Sequence, residues 1–211
     1  MDYRLTQYET FDFLSLEKEK KKISDIIDER VRQLKNRGQH YQKINFKKGP
    51  YYNLFSAAYN SKCAYCGVDT RINPTTLFEV DHFINEIQKV LPNGTSVNDI
   101  GNLVFSCRRC NQAKDAFNTS NIYDILHPDH APVLNVFVRT EKYGISIQKE
   151  YCENLDVIGF FKKLHLDSNF KRLDFLLMNL RDMENLSSKD DLRNVILSLY
   201  TDLLELRNKT I

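Results

Sequence analysis

Two cysteine pairs, Cys63-Ala-Tyr-Cys66 and Cys107-Arg-Arg-Cys110, constrain this 211-residue chain more than any other feature. Two residues between ligands let both sulfurs of a knuckle turn toward one point, and two knuckles complete a tetrahedral shell of four thiolates. The spacing predicts a structural zinc held by Cys63, Cys66, Cys107 and Cys110, with no coordination position left open for chemistry. The bland alternative, four small buried apolar residues, rarely produces this pairing. Gly67, directly after Cys66, suits the tight turn of a knuckle. Structural zinc carries about 10–16 kcal/mol of apparent binding energy, at least the stability of a typical domain, so the clamped segment is expected to loosen without it. Cys152 has no partner at such a spacing and reads as a core residue.

The 40 residues between the pairs differ in texture from their flanks. Leu77-Phe78-Glu79-Val80-Asp81 alternates apolar and polar residues, as a strand does, and Leu103-Val104-Phe105 reads as a second strand. Pro92-Asn93-Gly94 falls in the loop between them, and a helix is expected from Arg108 to about Phe117. Before this segment, Leu16, Ile23, Ile26, Ile27, Val31 and Leu34 form a helical stripe that Gly38 ends. Gly49-Pro50 marks a break, and a short helix over about Tyr52–Asn60 leads into the first knuckle. After it, Val133–Val138 and Tyr143–Ile147 predict a hairpin, followed by two or three helices between Asn154 and Asn208. The stripe Leu192, Val195, Ile196, Leu199, Leu203 and Leu206 on the last of these reads as core. His127 and His130 flank Pro128-Asp129, a turn rather than a second metal site.

Composition narrows the class further. Apolar residues make up 42% of the chain, enough for a sizeable core, and the net charge of +2 says little about partners. Between Lys18 and Lys48, however, eleven Lys or Arg face four acidic residues. That stretch could meet a phosphate backbone or simply be a solvated helical face. The sequence contains no run long enough for a membrane span, so a soluble, cytoplasmic protein is expected. In that compartment cysteines bind metal or lie buried rather than form disulfides.

Within the clamped segment, Val80-Asp81-His82-Phe83 precedes Gly101-Asn102-Leu103-Val104, and Cys110-Asn111-Gln112-Ala113-Lys114 follows. This ordered set, over residues 63–117, resembles the HNH endonuclease family in an H-N-N variant. The resemblance implies a ββα-metal finger stapled by a four-cysteine zinc site; with the mainly helical N- and C-terminal regions and the small β-hairpin read from the pattern, the fold expected is α+β. The expected regions are 1–60, 61–120, 121–150 and 151–211. Phosphodiester cleavage needs a nucleophilic water, a base to deprotonate it, and positive charge on the developing phosphorane. His82 has the pKa range of such a base. Asp81 and Asn111 offer oxygen ligands that suit Mg²⁺ or Mn²⁺. The resemblance assigns these same roles and makes Asn102 the brace of the loop that positions the base. Lys114, Arg108 and Arg109 are expected to contact phosphate or the shell behind the ligands. Neighbours in a regular strand face opposite ways, so Asp81 and His82 can share one site only if the strand ends or bends there. The family often carries a proline soon after the catalytic His; Phe83-Ile84-Asn85-Glu86 has none.

The resemblance implies a metal-dependent endonuclease acting on nucleic acid, DNA above RNA, and leaving 5′-phosphate and 3′-hydroxyl ends. A non-catalytic zinc-ribbon nucleic-acid-binding module is the competing reading, although it leaves Asp81, His82, Asn102 and Asn111 in register unexplained. Helical flanks and a hairpin after the motif are similar to nuclease subunits of bacterial anti-phage systems of the Septu and retron-associated types. That similarity implies a partner ATPase. Restriction, homing and phage-packaging roles stay open.

Overall fold

The computed structural model describes residues 2–33, 39–91 and 93–209. In chain order the helices are α1 (Phe13–Gln33), α2 (His40–Ile44), α3 (Pro50–Ala58), α4 (Arg108–Lys114), α5 (Tyr123–Leu126), α6 (Leu155–Lys163), α7 (Asn169–Leu186) and α8 (Asp190–Lys209). Strands β1 (Phe78–His82) and β2 (Leu103–Cys107) form one antiparallel hairpin, and β3 (Phe137–Arg139) and β4 (Ile145–Ile147) form another. The fold is the expected α+β arrangement, a small-sheet segment set among helices. Leu34, Gly38 and Pro92 lie outside the described residues, and with them the expected helix stop at Gly38. No described helix is long and apolar enough to cross a membrane.

The central hairpin pairs Phe78 with Cys107, Val80 with Phe105 and His82 with Leu103. Phe78, Val80 and Phe105 are buried, and the rings of Phe78 and Phe105 stack 5.0 Å apart at 9°. Helix α3 lies against this layer: Tyr52 and Tyr59 both reach Phe105, and Tyr52 Oη donates to the Phe78 carbonyl at 3.0 Å. Pro50 opens α3, where its missing N–H costs nothing. Helix α1 joins through Leu16, Ile23 and Ile27, and the buried Lys20 ammonium bonds Asp129 at 2.5 Å and the Leu103 carbonyl at 2.8 Å.

Three expectations need correction. Residues Ala131–Asn135 form a 3₁₀ turn rather than the start of a strand, consistent with Pro132, which lacks a ladder donor and favours a turn start. The stripe on α8 is not core: Leu192, Val195, Leu199 and Leu206 are exposed, whereas Ile196 and Arg207 are buried. Arg207 meets Asp174 of α7 at 2.5 Å and Asn73 at 2.6 Å, so an ion pair helps to dock this helix. Cys152 is exposed, not buried.

His127 is fully buried in the turn expected around Pro128-Asp129, where the His130 amide donates to the His127 carbonyl at 3.0 Å. Desolvation pushes its imidazole down from 6.5 to about 3. Between those values the unfolded chain binds the extra proton, so this contribution is whole above about pH 6.5 and is lost as pH falls toward 3. Denaturant titrations at pH 7 and pH 5 should show a loss of about 2 kcal/mol from this group. His127→Gln should lose correspondingly less between the two pH values; an equal loss would exonerate His127.

Candidate active site and metal centre

The first knuckle is a tight turn after α3. The Cys63 amide donates to the Val68 carbonyl at 2.8 Å and the Gly67 amide to the Cys63 carbonyl at 2.9 Å. Gly67 has φ +82°, and a Cβ there would sit 2.1 Å from the Arg4 carbonyl oxygen, so the position requires glycine. The N-terminal segment closes over it, with Tyr3 Oη donating to the Tyr65 carbonyl at 2.7 Å and Arg4 Nη1 to that of Ala64 at 3.0 Å. The second knuckle spans the junction of β2 and α4: Cys107 ends the strand and Cys110 lies in the first helical turn.

The four sulfurs lie within 4.8 Å of one another, and those of Cys66 and Cys107 are 3.9 Å apart. A tetrahedron with Zn–S bonds of about 2.3 Å has edges of about 3.8 Å, so the cluster fits zinc. Hydrogen bonding from Cys110, Cys63 and Cys66, together with burial, holds the Cys107 thiol well above its usual range. Four thiolates cannot share so small a volume without a cation to balance them.

Strand β1 ends at His82, with Asp81 and His82 both still paired in the ladder, to Val104 and Leu103. Asp81 is 7% exposed. Its Oδ2 accepts from Tyr65 Oη at 2.6 Å and lies 3.4 Å from the Lys114 ammonium, which is itself 1% exposed. Burial raises the Asp81 pKa, opposed by Lys114, the Tyr65 hydrogen bond and His82. Oδ1 of Asp81 accepts no hydrogen bond from the described residues. Asn111 projects from α4 one turn before Lys114, and its Nδ2 donates to Glu79 Oε2 at 2.8 Å. That bond turns its carbonyl oxygen away, and this oxygen too accepts no hydrogen bond from the described residues. Two oxygen donors from facing elements are thus unspent, a donor set that suits a hard divalent ion.

His82 Nε2 is 2.9 Å from Asn98 Oδ1. An amide oxygen only accepts, so Nε2 carries the proton and the lone pair stays on Nδ1. The Tyr41 ring covers the imidazole with centroids 4.2 Å apart, leaving His82 7% exposed, more enclosed than a base in an open cleft. Asn102 is fully buried. Its Oδ1 accepts from the Ile84 amide at 2.8 Å, and its Nδ2 donates to the carbonyls of Ile84 at 2.9 Å and Val97 at 2.8 Å. Those three bonds, with the Phe83 amide on the Asn102 carbonyl, fix the loop that leaves His82 and explain how it holds its course without proline.

The cations divide by position. Arg108 reaches the site, with Nε 2.7 Å from Glu79 Oε1. Lys114 is enclosed and turned to Asp81 rather than to solvent. Arg109 stacks on Phe170 of α7, 3.6 Å from the ring centroid, away from this cluster. Sequence reading missed Glu79, Tyr41, Asn98 and Tyr65. Glu79 alone left a signal, since it stands two residues before Asp81 and so shares its strand face. Burial opposes its ionisation, yet hydrogen bonds from Asn111 and Arg108 and the charge of Lys47 keep its carboxyl below the usual range.

An antiparallel hairpin running straight into a helix, with four cysteine sulfurs at its base and oxygen donors and an imidazole on its edge, defines a ββα-metal finger. Residues 63–117 match the family model described as HNH endonuclease, the family their motifs resemble. No curated protein and no solved structure matches the chain.

Elemental analysis of the purified chain should find one zinc per molecule, and Cys110→Ser should lose it together with much of the cooperative melting transition. Unchanged melting without zinc would remove the clamp from the account.

Proposed function

We propose that the protein is a metal-dependent endonuclease that hydrolyses phosphodiester bonds in nucleic acid, with DNA favoured over RNA. The observation that carries this reading is the pair of unspent oxygens on Asp81 and Asn111 beside an imidazole whose tautomer is already set. Asp81 and Asn111 would hold one Mg²⁺ or Mn²⁺. When bound, the ion supplies positive charge to the phosphorane and the leaving oxygen. His82 takes a proton from the attacking water at Nδ1 while Asn98 holds the ring by Nε2. The water oxygen bonds to phosphorus, the P–O3′ bond breaks, and the 3′ oxygen is protonated from solvent, giving 5′-phosphate and 3′-hydroxyl ends. Tyr65 and Lys114 hold Oδ2 of Asp81, which would leave Oδ1 to the ion. Glu79 orients the Asn111 amide and Asn102 locks the loop beyond the base. Arg108, at the rim beside Glu79, is placed to meet a phosphate.

An anti-phage role beside a partner ATPase belongs to the same reading and rests on the resemblance of the flanking regions alone. A zinc-ribbon binder without catalysis leaves the unspent oxygens without a purpose.

Incubation of supercoiled plasmid with the protein and Mg²⁺ or Mn²⁺ tests the reading. Cleavage should fall by at least about 10²-fold in His82→Ala, the usual worth of a general base. Binding without cleavage by the unsubstituted protein would favour the zinc-ribbon alternative, and equal cutting by both proteins would dismiss His82 as the base.

A further inference from the structure

A groove of about 430 Å³ lies between α1, α2 and α3, and none of the four clustered cysteines lines it. Its walls are apolar, with Ile27, Val31 and Tyr51, and its rim carries Arg30, Lys43 and Lys48. No carboxylate lines it among the described residues. These three cations make no ion pair among the described residues, whereas Lys21, Lys22 and Arg32 on the outer surface of α1 are each paired with a carboxylate of the same helix. Phe46 stands at the groove with 59% of its surface exposed, yet it is held in place. Its ring lies over Gly49, where a Cβ would come within 2.9 Å of the ring, and the Gly49 amide donates to the Phe46 carbonyl at 2.8 Å.

The groove and the site share helix α2 and the segment that follows it. Helix α2 puts Tyr41 on the His82 ring and, two residues later, Lys43 on the groove. Lys47, next to Phe46, donates to the Thr76 carbonyl at 2.9 Å, which Arg108 also reaches at 3.3 Å while holding Glu79. A line of cations therefore runs from Arg30 and Lys48 past Lys47 to Arg108.

We propose that this groove binds an unpaired stretch of the nucleic-acid substrate, one base stacking on Phe46 and its phosphates meeting Arg30, Lys43 and Lys48. The inference rests on the nuclease reading for the identity of the ligand and adds which form of it is gripped. The charge pattern selects a polyanion. The exposed, braced ring selects an unpaired base, because both faces of a base within a duplex are already stacked.

The test uses the full chain carrying His82→Ala, so that the probe survives, and reads fluorescence anisotropy with labelled single-stranded and duplex oligonucleotides of one sequence. Phe46→Ala should weaken single-strand binding by roughly 5- to 150-fold and leave duplex binding unchanged. Phe46→Tyr should restore it. The double variant Lys43→Gln/Lys48→Gln should reduce the slope of log affinity against log salt by about 1.4 for the single strand. Melting curves check that each variant is folded. Single-strand affinity insensitive to Phe46→Ala, or an equal loss on both probes, would overturn the groove while leaving the nuclease reading standing. No binding of either probe would overturn both.

Discussion

The site depends on where the thiolate cluster sits in the chain. Cys107 closes β2 and Cys110 sits in the first turn of α4, so the bond network that would hold a zinc ion also fixes the angle at which the helix leaves the hairpin. Asn111 and Lys114 ride on that helix and face Glu79 and Asp81 of β1. A small rotation of α4 would break the Asn111–Glu79 hydrogen bond and the Lys114–Asp81 pair. The first knuckle acts more directly still. Tyr65, between Cys63 and Cys66, donates to Asp81 at 2.6 Å, so the clamp itself touches the carboxylate. A two-stranded hairpin and a seven-residue helix have too little core to hold such geometry alone.

Asp81 is an expensive residue to enclose. Its carboxylate is nearly buried, and its negative charge is balanced by a lysine buried almost completely. Removing either partner alone would strand a charge away from water, which costs more than the pair contributes when intact. The arrangement makes sense if one oxygen of Asp81 must stay charged, oriented and available to a cation. The Asn111 amide obeys the same logic, since one end is tied to Glu79 and the other is left free.

Much of this was legible from spacing alone. The cysteine pairs, the two strands and the helix after the second knuckle were recovered to within a few residues because each carries a local signal. Glu79 was half legible through strand alternation, but nothing local says that it meets Asn111 from across the hairpin. Tyr41 and Asn98 lie about 40 and 16 residues from His82 and leave no periodic trace; only tertiary packing brings them to the ring. Helix α2, five residues long, is too short for a hydrophobic period to declare it. The α8 stripe misled because its spacing is that of a core face, whereas the docking of this helix uses Ile196 and the Arg207–Asp174 pair.

The central claim is that Asp81 and Asn111 converge on one hard cation beside His82. Crystals of the full chain grown with Mn²⁺, with anomalous difference maps recorded at the manganese edge, address it most directly. The account predicts a peak about 2.2 Å from both Asp81 Oδ1 and the Asn111 side-chain oxygen. A manganese peak elsewhere, or none at saturating Mn²⁺, would contradict it.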